Sequence, residues 1–160
     1  MGGVCNNSGG ALIKRGPAYT ELALYAKIDK SGNLVLINDL GIELGDNPKE
    51  ILYNLQNQNY NQDQIKYPDK LASDNEYEKR VRNIEADTPS RFNADRRRLH
   101  GASGCAGKVA VFAVRLDTYP IPKRNQVFYI GTNSPRVLTS IRRDILSQFK
   151  HLPTLSLIHI

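Results

Sequence analysis

The amino-acid sequence predicts an α+β domain: an N-terminal β-hairpin, two helices, then a strand pair with a C-terminal amphipathic basic helix packed on the sheet. Three observations carry that reading. Two apolar alternations flank a glycine-containing turn at Asp29–Gly32, and two helix starts follow, one marked by Asn47-Pro48 and one by Ser73-x-x-Glu76. Behind Thr132-Asn-Ser-Pro135, apolar residues then recur with helical period up to Phe149.

Each element has its own local cause. Residues 1–18 are rich in Gly and Asn and read as a loose N-terminal segment ahead of a single domain over 19–154. Glu21-Leu-Ala-Leu-Tyr-Ala-Lys-Ile28 is a strand with Leu22, Leu24, Ala26 and Ile28 facing inward. Asp29-Lys-Ser-Gly32 turns it, and Asn33-Leu-Val-Leu-Ile37 pairs back. Pro48 stands at the first position of the next helix, where its missing N–H costs nothing, and Ile51, Leu52 and Leu55 form the apolar face. From Asn54 to Gln64, eight of eleven residues are Asn or Gln, a composition that cannot build a core and reads as an exposed helix end and loop. Ser73 and Glu76 form a capping-box pattern for a helix carrying Tyr77, Val81 and Ile84 on one face. Thr88-Pro-Ser90 breaks it and marks a sub-boundary near residues 88–90. The near-continuous apolar run Lys108–Leu116 suits a strand at the centre of a sheet. Pro120 and Pro122 confine Thr118–Asn125 to a loop, Gln126–Gly131 is the next strand, and a helix capped by Asn133 or Ser134 runs to Lys150.

Charge is unevenly distributed. The chain of 160 residues carries a net charge of +6, yet residues 1–70 hold seven cations against eight carboxylates, while residues 91–150 hold twelve against three. Nine of those twelve are Arg, whose planar fork suits phosphates and base edges. A polyanion partner is therefore expected, DNA or RNA, with Arg96, Arg97, Arg98, Lys123, Arg124, Arg136, Arg143 and Lys150 as contacts. On the last helix Arg136, Arg143 and Lys150 repeat every seven residues opposite the apolar face, a straight stripe able to follow a phosphate backbone. Composition excludes a membrane-spanning helix, and the opening Met1–Gly10 has neither the basic nor the apolar part of a secretory signal. A cytoplasmic protein with no membrane partner is the expectation. Cys5 and Cys105, with no Cys-x-x-Cys and no His at ligand spacing, read as separate thiols of a reducing compartment and not as a zinc site or a disulfide. The last six residues, Leu155-Ser-Leu-Ile-His-Ile160, resemble the in-frame translation of a transposon end used in preparing sequencing libraries. Residues 155–160 are accordingly read as a non-native tail on a metagenomic sequence, the alternative being a short apolar terminal strand.

Candidate chemistry is sparse. Thr132-Asn133-Ser134 at a helix N-terminus offers unpaired N–H groups to an anion, with plain capping as the competing reading. The loop Gly101–Gly107 precedes a strand and lacks Gly-Lys-Ser/Thr, which removes a nucleoside-triphosphate site. His100, beside Arg96-Arg97-Arg98, has the residue types of a small metal-independent ribonuclease: a general acid or base next to phosphate clamps. Tyr119 and Tyr129 near Lys123 and Arg124 could stack on unpaired bases.

Val111-Phe-Ala-Val114, Tyr129-Ile-Gly131 and the helix Pro135–Phe149 together resemble the opening of the GIY-YIG nuclease superfamily and its T5orf172-like members. The resemblance spans residues 109–149, with Phe112 where that family has tyrosine. It implies that Tyr129 positions or deprotonates the attacking water, that Arg142 or Arg136 steadies the scissile phosphate, and that Mg²⁺ is required. Without the nuclease reading no cofactor and no metal is expected. The sequence thus predicts a nucleic-acid-binding protein of phage or mobile-element type. A phosphodiester-cleaving nuclease is the first alternative, and a structural or inhibitory protein meeting an acidic protein partner is the second.

Overall fold

The computed structural model describes residues 1–9, 12–66 and 69–156. Three strands form an antiparallel sheet, β1 (Ala23–Ile28), β2 (Leu34–Asn38) and β3 (Ala110–Val114), in the order β2-β1-β3. The helices are α1 (Gly2–Cys5), α2 (Pro48–Gln56), α3 (Tyr77–Arg82) and α4 (Pro135–Gln148), with single 3-10 turns at Gln62–Gln64 and Arg96–Arg98.

The β1–β2 hairpin follows from its turn chemistry. The Asp29 carboxylate accepts from the backbone N–H of Ser31 at 2.8 Å and of Asn33 at 2.9 Å, and Gly32 takes the left-handed φ of +85° that closes the loop. Those same N–H donors hold the Asp29 carboxyl below its ordinary pKa. β1 is the central strand and is buried on both faces, because apolar residues occupy nearly every position from Leu22 to Ala26. Its two faces feed two cores. Leu24 meets Leu40, Leu44 and Ile51 of α2, while Ala23 and Tyr25 meet Val4 and Ala102. Ile28 lies exposed at the strand end, outside the inward set expected from alternation.

β3 lies at the edge of the sheet, paired with β1. The expected central position went to β1 because β3 shares only one neighbour and leaves Phe112 half exposed at a bulge opposite Leu24 and Tyr25. The strand pair expected from Lys108–Leu116 and Gln126–Gly131 is not formed: among the described residues, 126–131 joins no sheet. α4 packs against α3, a correction to the expected packing on the sheet.

The N-terminal segment is more closely held than its Gly/Asn composition suggests. Val4 is buried in the second core, and the buried Asn7 donates through Nδ2 to the Arg98 carbonyl at 2.8 Å. Gly16 packs where any Cβ would strike the Tyr77 ring. At the other end, Leu155 bridges Leu12, and Ile13 N–H donates to the Thr154 carbonyl at 3.2 Å. The remainder of the expected tail, residues 157–160, lies outside the described residues.

α2 starts as its sequence requires: Asn47 Oδ1 accepts from Glu50 N–H at 3.0 Å, and Pro48 opens the helix. α3 starts differently from the capping box expected at Ser73. The Ser73 hydroxyl instead donates to Asp117 at 2.6 Å, Glu76 is the N-cap, and the Glu76 carboxylate turns to arginines. Tertiary charge outcompetes the local cap here.

Candidate functional site

Two of the three arginines of the triplet are held by carboxylates. On the 3-10 turn Arg96–Arg98, Arg97 meets the buried Asp95 through Nε at 2.8 Å and Nη2 at 2.6 Å. Arg98 is buried, and its Nη2 reaches Asp74 at 2.9 Å and Glu76 at 2.7 Å. Arg80 closes on the same Asp74, whose side chain is fully buried. Burial alone would pull the Arg98 pKa down, and the two carboxylates outweigh it and raise it. Arg98 in turn holds the Glu76 carboxyl below the usual range, and Arg97 does the same for Asp95. Tyr19, whose ring lies 5.5 Å from the Arg98 guanidinium carbon, has its phenol pKa raised by burial and by its hydrogen bond to Glu21. This is a structural ion cluster joining α3 to the 3-10 turn. Of the row of phosphate clamps expected at Arg96, Arg97 and Arg98, Arg98 is buried in the ion cluster, Arg97 is exposed but paired with Asp95, and Arg96 is exposed.

His100 lies in a tight backbone bridge with Ser103, half-buried, its Nδ1 buried without a hydrogen-bond partner. Thr132 Oγ1 accepts from Ser134 N–H at 3.1 Å, so that part of the expected anion cradle closes on itself; Asn133 is exposed beside it. Tyr129 projects into solvent at 96% exposure, and Arg142 is exposed on α4.

The second half of the chain is built in the opposite way. Arg115 leaves β3 and donates to the carbonyls of Leu40 at 2.6 Å and Lys66 at 2.9 Å, anchoring the exit from the sheet. Beyond it the chain runs through Pro120-Ile121-Pro122, and Ile121 is 90% exposed. Val127, Phe128, Tyr129 and Ile130 follow outside any helix or strand, all exposed. α4 then begins at Pro135. Its C-terminal end is held down: Arg82, itself paired with Glu78 at 2.9 Å, donates to the carbonyls of Leu146 at 3.2 Å, Phe149 at 2.8 Å and Lys150 at 3.2 Å. A guanidinium on the last carbonyls satisfies orphan acceptors and opposes the helix dipole. Arg143 pairs with Glu85, and Leu146 and Leu152 are buried.

Residues 115–150 carry seven cations against two carboxylates. Arg115 and Arg143 are engaged as above. Lys123, Arg124, Arg136, Arg142 and Lys150 are exposed, and none meets a carboxylate at ion-pair distance among the described residues. Four consecutive exposed apolar side chains in a segment that also carries five such cations have the chemistry of a surface that meets an apolar–aqueous boundary. No helix among the described residues is long and apolar enough to cross a membrane.

Comparison with known proteins gives this arrangement a setting. A family model described as D-lactate dehydrogenase, membrane binding, matches residues 127–157. The chain is similar to the quinone-dependent D-lactate dehydrogenases of Escherichia coli, 57% identical, of Haemophilus influenzae, 55%, and of Corynebacterium glutamicum, 41%, each over 153 residues and 96% of this chain. The chain spans 27% of the length of these relatives.

These likenesses overturn several expectations. The Tyr129-Ile-Gly131 triplet belongs to a segment matching a dehydrogenase family, so the GIY-YIG resemblance, the nuclease and the nucleic-acid-binding reading all fall. Phage or mobile-element origin, DNA or RNA as partner, the exclusion of a membrane and a purely cytoplasmic placement fall with them. The sequence did carry the missed signal. Gln126–Gly131 is apolar between Lys123-Arg124 and Arg136, and a basic amphipathic helix next to an apolar run suits a membrane surface as well as a polyanion. Ile121, Val127, Phe128 and Ile130 are exposed and were not among the expected contact residues.

Proposed function

We propose that this chain is part of an enzyme of the quinone-dependent D-lactate dehydrogenase type, and that residues 115–150 form the surface by which it rests on a membrane. The observation that carries the reading is the exposed run Val127–Ile130, which adjoins a cation-bearing helix and at which the membrane-binding family match begins. The chemistry gives a reason for such a surface. Oxidation of a D-2-hydroxy acid releases two electrons and two protons, the number that converts a quinone to a quinol. A long-chain quinone is dissolved in the bilayer, so the protein that reduces it has to come to the lipid.

Apolar insertion and charge then act together. A fully buried aliphatic or aromatic side chain contributes about 1.5–3 kcal/mol, and each Lys or Arg near an anionic surface about 1 kcal/mol. Phe128 and Ile130, both exposed, enter the interface, while Tyr129 suits the headgroup level through its polar hydroxyl. Arg136, Arg142, Lys123 and Arg124 supply the electrostatic part.

Flotation of the full chain with lipid vesicles tests this. Vesicles containing anionic phospholipid should carry the protein upward at low salt and release part of it at high salt, because exposed charges are screened. Protein that stays at the bottom of the gradient with every vesicle composition would defeat the reading.

A further inference from the structure

Cys5 and Cys105 stand a hundred positions apart in the chain and lie on adjoining backbone in the fold. Cys5 ends α1, and Cys105 lies in the loop Gly101–Gly107. Two backbone hydrogen bonds bracket Cys105: Gly104 N–H donates to the Val4 carbonyl at 3.1 Å, and Ala106 N–H donates to the Cys5 carbonyl at 3.1 Å. These bonds lay the backbone on either side of Cys105 against the end of α1 that carries Cys5. The frame around them is fixed. Val4 and Ala102 belong to one buried cluster, Asn7 is tied to the Arg98 carbonyl, and Gly104 packs so closely on Asn7 and Leu99 that a Cβ would collide with both. Both thiols are only half-buried, so a small solute can reach them.

We propose that Cys5 and Cys105 form a reversible intramolecular disulfide, a redox modification site whose oxidant is a small peroxide. This revises the reading of the two cysteines as separate thiols, and it is independent of the membrane surface. In the first step one sulfur, as thiolate, attacks the peroxide O–O bond; that bond breaks, a sulfenic acid forms, and an alcohol or water leaves. The second sulfur then attacks the sulfenic sulfur, the S–O bond breaks, the S–S bond forms, and water leaves. Two thiols lose two electrons and two protons in total, and the two peroxide oxygens receive them. Burial and the neighbouring Cys105 push the Cys5 thiol up, which lowers its thiolate fraction and slows its own attack on the peroxide.

Once formed, the bond staples the N-terminal segment to the loop that follows the buried ion cluster. The test treats the full chain with one equivalent of hydrogen peroxide, traps remaining thiols with a maleimide, and reads the intact mass. The expected product is a monomer lighter by about two mass units with both maleimide sites lost together, restored by dithiothreitol. Cys5→Ser and Cys105→Ser should each keep the remaining thiol reactive or gain oxygen on it, with no intramolecular bond. In denaturant, closure should slow by about a hundredfold or more, because the fold no longer supplies proximity. Oxygen gained at one cysteine while the other stays free, linked dimers as the sole product, or equal closure rates in folded and unfolded chain would each overturn the proposal.

Discussion

Residues 1–114 and residues 115–150 treat the same kinds of side chain in opposite ways. In the first region apolar residues face each other across β1, and arginines such as Arg80 and Arg98 are turned inward onto Asp74 and Glu76. In the second, Ile121 and Val127–Ile130 face solvent, and Lys123, Arg124, Arg136, Arg142 and Lys150 point outward without a carboxylate among the described residues. Net charge alone does not distinguish a cation that holds a fold together from one that meets a partner. What distinguishes them is the partner each cation has and, in the second region, the run of exposed apolar side chains that accompanies the exposed cations.

The comparison can be broken most forcefully in the first region. Asp74→Ala leaves Arg80 and Arg98 buried beside each other, and it should cost about 3–5 kcal/mol of stability by urea unfolding. If the loss is within half a unit, the cluster is solvated and the distinction between the regions fails. In the second region, Phe128→Ser and Ile130→Ser should leave stability unchanged, since both side chains are exposed, yet weaken vesicle binding by about tenfold or more each. Charge changes come next in size: Arg136→Gln or Lys150→Gln should each lower affinity for anionic vesicles by about fivefold, and the difference should shrink in high salt. Arg98→Gln serves as the contrast, destabilising the fold without a separate effect of salt on binding by the folded fraction.

The smallest expected effect is on pH. Glu76 and Asp95 have folded-state carboxyl pKa values below their unfolded ones, Glu76 through its hydrogen bond to Arg98 and Asp95 through its bonds to Arg97. The unfolded chain therefore takes up protons first as pH falls. Stability from these pairs is complete above the unfolded carboxylate range, about pH 4–5, and is lost as pH drops through the lower folded values. A midpoint of urea unfolding that is flat between pH 6 and 3 would contradict this assignment.

Local chemistry in the sequence reached some of this and missed the rest. The Asp29–Gly32 turn and the Asn47-Pro48 start are decided within five residues, and both are readable from residue types. Strand order is not local: Lys108–Leu116 and Leu22–Ala26 are equally apolar, and only the packing of Val4, Ala102 and α2 puts β1 in the middle. The same holds for Ser73, where the cap pattern is present but Arg98 and Arg80 claim Glu76. At the proposed membrane surface the cations were visible in the sequence, Arg136 and Lys150 among them, and the partner class was not. A cationic stripe is compatible with phosphodiesters in a nucleic acid and in a lipid headgroup alike, and what separates them is whether adjacent apolar side chains are buried or exposed. Gln126–Gly131 read as a buried strand, and its exposure is what changes the meaning of the cations around it.

The central claim is that Val127–Ile130 enters lipid. The chain contains no tryptophan, so a single one introduced by Tyr129→Trp reports on that segment alone, and Tyr53→Trp on exposed α2 provides a second probe in the first region. With anionic vesicles containing brominated acyl chains, the Trp at position 129 should be blue-shifted and quenched while the one at position 53 is unaffected. Quenching at position 53 without quenching at position 129, or no change at either, would contradict the account.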